Sequence, residues 1–202
     1  MKVLLTGANG YIGKRLLPVL LDKGHDVICC VRDKNRFKVP DDYASKIEVF
    51  EIDFVKDKVR DDFPVDFDIA YYLIHSMSSS IDDFEKMELK SAENFAGYIN
   101  RSNAGQIVYL SGISNEKKLS RHLKSRKRVE EVIKNAEADF TILRAGIIVG
   151  SGSASFEIIR DLVEKLPVMI TPKWLNTRCQ PVSIRDVIKY LTEVMMHPAC
   201  LN

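Results

Sequence analysis

Features typical of secreted, membrane-spanning or zinc-bound proteins are scarce in this chain of 202 residues, which has four cysteines and no Cys-x-x-Cys pair. Cys29 and Cys30 are adjacent on a predicted strand, where consecutive side chains point to opposite faces, so neither a disulfide framework nor a metal site is expected. No apolar run approaches the length needed to cross a bilayer. The first predicted strand begins at Lys2, which leaves no room for a signal peptide. We therefore expect a cytoplasmic protein that does not bind membranes.

A strong excess of one charge is also absent. Lys and Arg total 30 and Asp and Glu total 28, a net charge of +2, so composition alone implies no polyanionic partner. The densest basic cluster runs from Lys117 to Arg128, but it lacks interleaved aromatic residues and is followed by Glu130 and Glu131. Single strands are bound on aromatic stacking platforms, and a recognition helix needs a helix-turn-helix neighbour. Nucleic acid is therefore not an expected partner.

What the chain does have is an apolar run, a glycine-rich turn and an amphipathic helix in immediate succession at its start. Val3–Leu5 reads as a buried strand, and glycines follow at positions 7, 10 and 13 before leucines recur at helical spacing. The unpaired amides at a helix N-terminus attract anions, and glycine lets the backbone approach a pyrophosphate. The pattern predicts a dinucleotide cradle. Its predicted cofactor-binding residues are Thr6, Gly7, Asn9, Gly10, Tyr11, Ile12 and Gly13.

Strand and helix patterns alternate along most of the chain. Strands are predicted over Lys2–Thr6, Asp26–Arg32, Lys46–Ile52, Asp68–Ile74, Gln106–Ser111 and Asp139–Ala145, and helices over Tyr11–Lys23, Lys56–Asp62, Asp82–Arg101, Leu119–Asn135, Ala154–Lys165 and Ile184–Met196. This alternation predicts an α/β fold with a doubly wound parallel sheet, a Rossmann fold, whose ligands bind beyond the carboxyl ends of the strands. We expect a dinucleotide-binding domain over residues 1–150 and a partial substrate-side lobe, packed on the same domain, over 151–202.

The ends of the second and third strands bear on the choice of cofactor. Arg32, followed by Asp33, stands about twenty residues past the glycine turn, where a ribose selector is expected. A guanidinium binds phosphate in a fork, which favours NADP(H) over NAD(H). The alternative is that Arg32 is a solvated charge and Asp33 binds the ribose. After the third strand, Asp53 either accepts a hydrogen bond from the adenine amino group, beside the ring of Phe54, or caps the strand end.

Later segments carry a resemblance to a known family. Those segments are Tyr71–Met77 (YYLIHSM), Gly150–Glu157 (GSGSASFE), Leu166–Trp174 (LPVMITPKW) and Thr177–Pro181 (TRCQP). With the glycine fingerprint, they resemble the extended and atypical short-chain dehydrogenase/reductases, in particular NmrA-like bacterial NAD(P)-binding proteins often labelled nucleoside-diphosphate-sugar epimerases. The resemblance covers essentially the whole chain. Similar members usually continue for roughly another half-domain, which implies that part of a substrate lobe is not in this chain.

The resemblance also implies roles for residues that follow the fourth, fifth and sixth strands. Ser111 matches the family's serine or threonine that hydrogen-bonds a substrate carbonyl, with Ser114 as a second choice, although a serine at a strand end is more often a turn residue. Four residues are implied to lie along the nicotinamide half of the cofactor: Leu73, Ile74, His75 and Arg144. The remaining implied substrate-binding residues are Ser76, Ser151, Ser153 and Arg178.

The family's catalytic pair is missing. Classical members carry Tyr-x-x-x-Lys on the helix after the fifth strand, and no tyrosine here has a lysine four residues later. In the matching segment His122 takes the place of the tyrosine and Arg126 that of the lysine, and this spacing puts both on one helix face. A histidine exchanges protons near neutral pH and an arginine can grip ribose hydroxyls. The alternative is an exposed basic helix without a catalytic role.

We therefore expect an NADP(H)-binding, oxidoreductase-like protein that transfers hydride between the nicotinamide and a small carbonyl or alcohol substrate. Ser111 would polarise the substrate oxygen, His122 would move the proton and Arg126 would anchor the ribose. One alternative is a non-catalytic NADP(H)-binding redox sensor or regulator, which the missing Tyr-Lys pair favours. Another is a nucleoside-diphosphate-sugar epimerase. The sequence leaves the substrate and the oligomeric state open.

Overall fold

Six parallel strands form the central sheet of the computed structural model, which describes residues 1–58, 60–75, 81–113, 121–166 and 179–202. The strands are β1 (Lys2–Thr6), β2 (Asp26–Val31), β3 (Ile47–Glu51), β4 (Ile69–Tyr72), β5 (Gln106–Gly112) and β6 (Asp139–Ala145), in the order β3-β2-β1-β4-β5-β6. This order and the parallel pairing confirm the predicted doubly wound sheet.

The helices are α1 (Gly13–Asp22), α2 (Ile81–Ile99), α3 (Arg121–Lys134), α4 (Ala154–Lys165) and α5 (Ile184–Glu193). Helices α1 and α5 cover one face of the sheet and α2 and α3 the other, whereas α4 lies outside both cores. A second, two-stranded parallel sheet pairs β7 (Ile148–Val149) with β8 (Val182–Ser183), and short 3-10 turns occupy Lys34–Arg36, Asp41–Lys46 and Pro198–Cys200. In the part of the chain that the structure describes, no helix is both long and apolar enough to cross a membrane.

Two apolar cores lie on opposite faces of the sheet. On one face, Leu5 of β1 packs in a cluster with Leu16 of α1 and Leu191 of α5. On the other face, Leu4 of β1 packs in a cluster with Phe95 of α2 and Ile133 of α3. Because neighbouring residues of one strand are buried on opposite faces, the central strands read as continuous apolar runs rather than as alternating ones.

The chain reverses its direction of winding between β1 and β4, and a threonine ties these two strands together. The Thr6 hydroxyl donates to the Tyr71 carbonyl at 2.8 Å and accepts from the Leu73 amide at 3.1 Å. Thr6 is fully buried, so its side chain serves the sheet. Ligands of doubly wound sheets bind where the winding reverses, beyond the carboxyl ends of the strands. The fold therefore places the candidate site directly above this bridge.

One predicted element was wrong. The described residues of Lys56–Asp62 form turns and extended backbone instead of a short helix. The hydroxyl of Tyr98 donates to the Lys58 carbonyl at 2.6 Å and accepts from the Arg60 amide at 3.1 Å. These tertiary hydrogen bonds use backbone groups that a helix would have paired internally, which overrides the weak local preference.

Candidate functional site

The start of α1 lies unusually close to the end of β1. A Cβ added to Gly13 would be 2.3 Å from the carbonyl oxygen of Gly7 and 2.8 Å from the Cα of Ala8. Gly7 itself has a φ of +66°, and a Cβ there would be 2.7 Å from the Leu73 carbonyl oxygen at the end of β4. Neither position has room for a larger residue. These two glycines allow the helix N-terminus to sit over the gap between the two strands.

The backbone amides at the start of α1 lack intramolecular acceptors among the described residues. Ile12 precedes the helix without a side-chain cap, and the first turn carries no acidic residue. The Gly10 amide donates to the Gly7 carbonyl at 2.9 Å, whereas the amides of Tyr11, Ile12 and Gly13 have no acceptor among the described residues. By contrast, Ser183 caps α5 by accepting from the Asp186 amide at 3.1 Å. Uncapped donors at the positive end of a helix fit a diphosphate group.

Not every residue predicted for the cradle offers its side chain to the site. Asn9 and Gly10 are exposed at the tip of the turn, and Gly13 is buried beneath it. Ile12 packs against the core beneath α1. Together with the threonine bridge described above, this arrangement makes the cradle a backbone site rather than a side-chain site.

The end of β2 presents positive charge. Arg32 is exposed directly after the strand, and the segment that follows carries three more exposed cations: Lys34, Arg36 and Lys38. Asp33 turns back on its own loop, because its carboxylate accepts from the Asn35 amide at 2.9 Å. Glu51, at the end of β3, accepts from the Lys34 amide at 2.9 Å. The acid next to Arg32 is therefore engaged locally, while the guanidinium is open to solvent.

The residues predicted for the adenine end have local contacts. Asp53 accepts from the Val55 amide at 3.0 Å, and the Lys56 amine is 3.9 Å from its other oxygen. These contacts are those of a strand-end cap, the second of the two sequence interpretations. Phe54 is 4% exposed and packs edge to face on Phe95. Its ring therefore belongs to the core and has little surface left for an adenine.

Arg126 and His75 lie near the carboxyl ends of β5 and β4. Arg126 extends from α3, its terminal nitrogen 3.4 Å from the Leu110 carbonyl oxygen, and 22% of its side chain is accessible. His75 follows Leu73 and Ile74 at the end of β4. Although the His75 side chain is exposed, desolvation by the surrounding protein, and then the positive charge of Arg126, lower the pKa of its imidazole. A neutral imidazole offers one donor and one acceptor nitrogen, and a guanidinium offers a fixed positive charge.

Ser111 lies in a buried polar cluster on the α3 side of the sheet. Its residue exposure is 4%, and its Oγ has no hydrogen bond within the described residues, although it is near enough to Glu130 to help lower the pKa of that carboxyl. Arg144 holds the same carboxylate through both edges, with its Nε 3.0 Å from Oε1 and a terminal nitrogen on Oε2. The Arg144 side chain thus faces Glu130, whereas the sequence suggested that it faces the cofactor.

The turn at residues 150–153 packs over the glycine-rich turn. Arg15 of α1 donates to the Tyr11 carbonyl at 3.0 Å and to the Ser151 carbonyl at 2.7 Å, and its guanidinium lies 3.9 Å above the Tyr11 ring centroid. The Ser153 hydroxyl donates to the Ile148 carbonyl at 2.7 Å and is buried. Arg15 therefore links the two turns, and the Ser153 side chain stabilises its own loop.

A cavity of about 400 Å³ opens between the carboxyl ends of β5 and β6 and helix α5. Its walls are mainly apolar and include Leu110, Leu143, Ala145, Val187 and Tyr190. It has room for a small, largely apolar molecule.

Several predicted site residues lie outside the described residues: Ser76, Ser114 and Arg178. His122 is the second residue of α3, four residues before Arg126, but its side chain also lies outside what the structure describes.

Two acids that the sequence analysis did not select, Glu88 and Glu130, prove to be buried partners of the site arginines. Their signal was their place on the core-facing side of an amphipathic helix, where an acid is unexpected.

Fold and cradle together define a Rossmann-type nucleotide-binding protein. A family model described as NAD(P)H-binding matches residues 7–166, and the chain belongs to this family. The match confirms the predicted nicotinamide dinucleotide cofactor. The uncapped amides and the crowded glycines of α1 independently fit the diphosphate of such a cofactor.

Among curated proteins, the chain is similar to the chloroplastic divinyl chlorophyllide a 8-vinyl-reductase of Cucumis sativus, with 21% identity over 215 residues, covering 99% of this chain and 51% of that protein. The Arabidopsis thaliana protein of the same name is 21% identical over 219 residues, covering 100% and 52%. The chain spans about half the length of the curated relatives it matches.

Solved structures show the same fold. A UDP-glucuronic acid 4-epimerase from Bacillus cereus, in complex with UDP-glucuronic acid and NAD, has a TM-score of 0.72 at 17% identity, covering 100% of this chain and 75% of that chain. A nucleoside-diphosphate-sugar epimerase from Staphylococcus aureus has a TM-score of 0.72 at 16% identity, covering 100% and 68%. These neighbours share the Rossmann-type fold that the family resemblance implied.

The glycine geometry predicts that Gly13→Ala abolishes dinucleotide binding, because the added methyl group must push α1 away from β1. Gly24→Ala is the matched control: a Cβ there meets nothing within 4 Å, but φ is +85°. It should cost roughly 1 kcal/mol of stability and leave binding unchanged. Calorimetric titration with NADPH and NADH measures dinucleotide binding by the two variants. A folded Gly13→Ala chain that binds like the parent would contradict the cradle.

The Arg144–Glu130 pair predicts a pH-dependent stability. Burial raises the pKa of the Glu130 carboxyl, but Arg144, with smaller contributions from Ser111 and Lys134, brings the net pKa below its usual value. The carboxylate therefore stabilises the fold above its unfolded pKa, and this contribution is lost as pH falls through the folded pKa. Arg144→Met should lower the free energy of unfolding by about 1–3 kcal/mol at pH 7, since Arg144 is half exposed.

The loss caused by Arg144→Met should be smaller at about pH 4, near the ordinary pKa of a glutamate, than at pH 7, because burial without Arg144 favours the protonated Glu130 carboxyl. Urea unfolding at the two pH values measures it. Arg160→Met, which breaks exposed pairs on α4 with Glu157 and Asp161, should change stability by less than about 0.5 kcal/mol. An Arg144→Met loss that is the same at both pH values would refute the electrostatic explanation.

Proposed function

We propose that the chain binds NADP(H) and serves hydride transfer between the nicotinamide and a small carbonyl or alcohol substrate. The observation that carries the proposal is the uncapped start of α1 beside its crowded glycines, with the Arg126 guanidinium toward the carboxyl end of β5. The two curated relatives bear the name of a reductase, which supports reduction over epimerisation. Because the chain spans about half of those proteins, the substrate lobe over 151–202 is proposed to be partial.

Each residue has a proposed task. When bound, the cofactor would supply the hydride that the carbonyl carbon accepts. Arg126 holds the hydroxyls of the nicotinamide ribose through the N–H groups that its contact with Leu110 leaves over. His122 delivers the proton to the substrate oxygen, so that the carbonyl becomes an alcohol. Ser111, at the carboxyl end of β5, is the proposed donor to that oxygen.

NADP(H) is the proposed cofactor because of the charges after β2. Four exposed cations lie within residues 32–38, and the nearest acid, Asp33, accepts from its own loop. An acid free to bind ribose hydroxyls would favour NAD, whereas a free guanidinium fits the 2′-phosphate.

A specific observation also supports a second candidate, an NADP(H)-binding redox sensor without catalysis. The Ser111 hydroxyl is buried among Glu130 and other α3-side groups instead of opening to the cavity. The absence of a Tyr-x-x-x-Lys pair points the same way. Sugar-nucleotide epimerisation, named for the structural neighbours, normally relies on the missing tyrosine and is the third candidate.

Cofactor choice predicts that NADPH binds more tightly than NADH and that Arg32→Ala removes most of the difference. The loss of NADPH affinity should be about tenfold or more, as for one charge-assisted phosphate contact. Lys134→Ala is the charge-matched control, because Lys134 lies at the far end of α3 beside Phe140. Fluorescence titration gives the affinities. Equal binding of NADPH and NADH by the parent chain would refute the preference.

The catalytic proposal predicts that His122→Ala lowers turnover by about 100- to 10,000-fold, the range for loss of a general acid–base group, while NADPH affinity is retained. The measurement is NADPH oxidation with a panel of small aldehydes and ketones. His197→Ala, at an exposed histidine beyond α5, is the control. No turnover by the parent chain, combined with different affinities for NADPH and NADP+, would favour the sensor.

A further inference from the structure

A buried acid stands behind the arginine of the proposed ribose site. Glu88 of α2 is 4% exposed. The Ser125 hydroxyl donates to its Oε2 at 2.6 Å, and the Nε of Arg126 is 3.8 Å from its Oε1. Ser125 and Arg126 are consecutive on α3, so one carboxylate on α2 engages both. The contact therefore joins the two helices directly below the sheet edge where Arg126 reaches Leu110.

The burial of the Glu88 carboxylate explains why it contacts Arg126. A carboxylate with so little solvent exposure is costly unless hydrogen bonds and an opposite charge compensate it. Arg126 supplies that charge and still keeps 22% of its side chain accessible. Glu88 lies behind its Nε, the Leu110 carbonyl lies beside a terminal nitrogen, and the Tyr109 hydroxyl is a further hydrogen-bonding neighbour, so the guanidinium plane is held from several sides. Its remaining N–H groups keep a defined orientation.

We propose that Glu88 is a positioning residue that holds the Arg126 guanidinium in the orientation needed to bind the nicotinamide ribose. This inference rests on the proposed function, in which Arg126 contacts that ribose. Ser125 supports Glu88 by satisfying its second oxygen. Preorganisation of this kind removes the cost of ordering a long, flexible side chain when the ligand binds.

A neighbouring ion pair between the same two helices provides a matched comparison. Glu85 of α2 is 3.5 Å from Arg128 of α3, and 57% of the Arg128 side chain is exposed. This pair resembles the Glu88–Arg126 contact in composition and in the helices it joins. It lacks burial and any contact with the sheet edge. If these ion pairs served only to hold α2 against α3, both would contribute. If Glu88 positions Arg126, only the Glu88–Arg126 pair should affect ligand binding.

The test compares binding of NADPH with binding of adenosine 2′,5′-bisphosphate, which has the adenine half of the cofactor and no nicotinamide ribose. Calorimetric titration is carried out on the parent chain and on Arg126→Ala, Glu88→Gln, Ser125→Ala and Glu85→Gln. Arg126→Ala and Glu88→Gln should weaken NADPH about tenfold and leave the fragment unchanged, as expected for loss of one charge-assisted contact. Ser125→Ala, a milder change, should weaken NADPH in the same selective way, and Glu85→Gln should change neither ligand.

Each of the other outcomes contradicts a specific part of the inference or of the proposed function. If Arg126→Ala weakens NADPH selectively but Glu88→Gln and Ser125→Ala do not, the positioning role fails and the proposed function stands. If Glu88→Gln weakens both ligands equally, its role is structural and the inference fails. If Glu88→Gln does not fold, Ser125→Ala decides by the same ratio of affinities. If Arg126→Ala leaves NADPH binding unchanged, the proposed ribose contact fails, and the inference fails with it.

Discussion

The close approach of helix α1 to the end of β1 is the constraint on which the rest of the structure depends. Gly7 and Gly13 meet where no Cβ fits, and Thr6 ties β1 to β4 directly below. With the helix seated there and uncapped, its first amides point into the gap where the sheet reverses its winding. A side-chain cap or an acid in the first turn would have satisfied those donors internally. Their availability is what a diphosphate site requires of such a turn.

Three arginines, Arg32, Arg126 and Arg144, lie near the carboxyl edge of the sheet, and their surroundings differ. Arg32 is free in solvent after β2, which suits a contact with an exposed phosphate. Arg126 is mostly buried, with an acid behind it and a backbone carbonyl beside it. Arg144 pairs with Glu130 through two N–H groups. Three arginines near one sheet edge thus differ in their surroundings, because Arg32 faces solvent whereas Arg126 and Arg144 each meet a buried acid.

The elements that position the site were predictable because they depend on local pattern. The bounds of β1, β6 and α4 match their predictions residue for residue, since apolar periodicity and flanking turns define them. The contacts of individual side chains depend on residues far apart in sequence. Hydrogen bonds to the Tyr98 hydroxyl hold turns where a helix was predicted. The Arg144 guanidinium pairs with Glu130, and the ring of Phe54 packs in the aromatic core. Glu88 could have been noticed, because its spacing to Ala92, Phe95 and Ile99 places it on the apolar face of α2.

The central claim is that the main-chain amides at the start of α1 bind the cofactor diphosphate. Amide resonances of isotope-labelled protein, followed during titration with NADPH, test it most directly. The account predicts that the largest shifts fall on Tyr11, Ile12 and Gly13, the donors without an acceptor among the described residues. Saturation with NADPH and NADH that leaves these three resonances in place would contradict it.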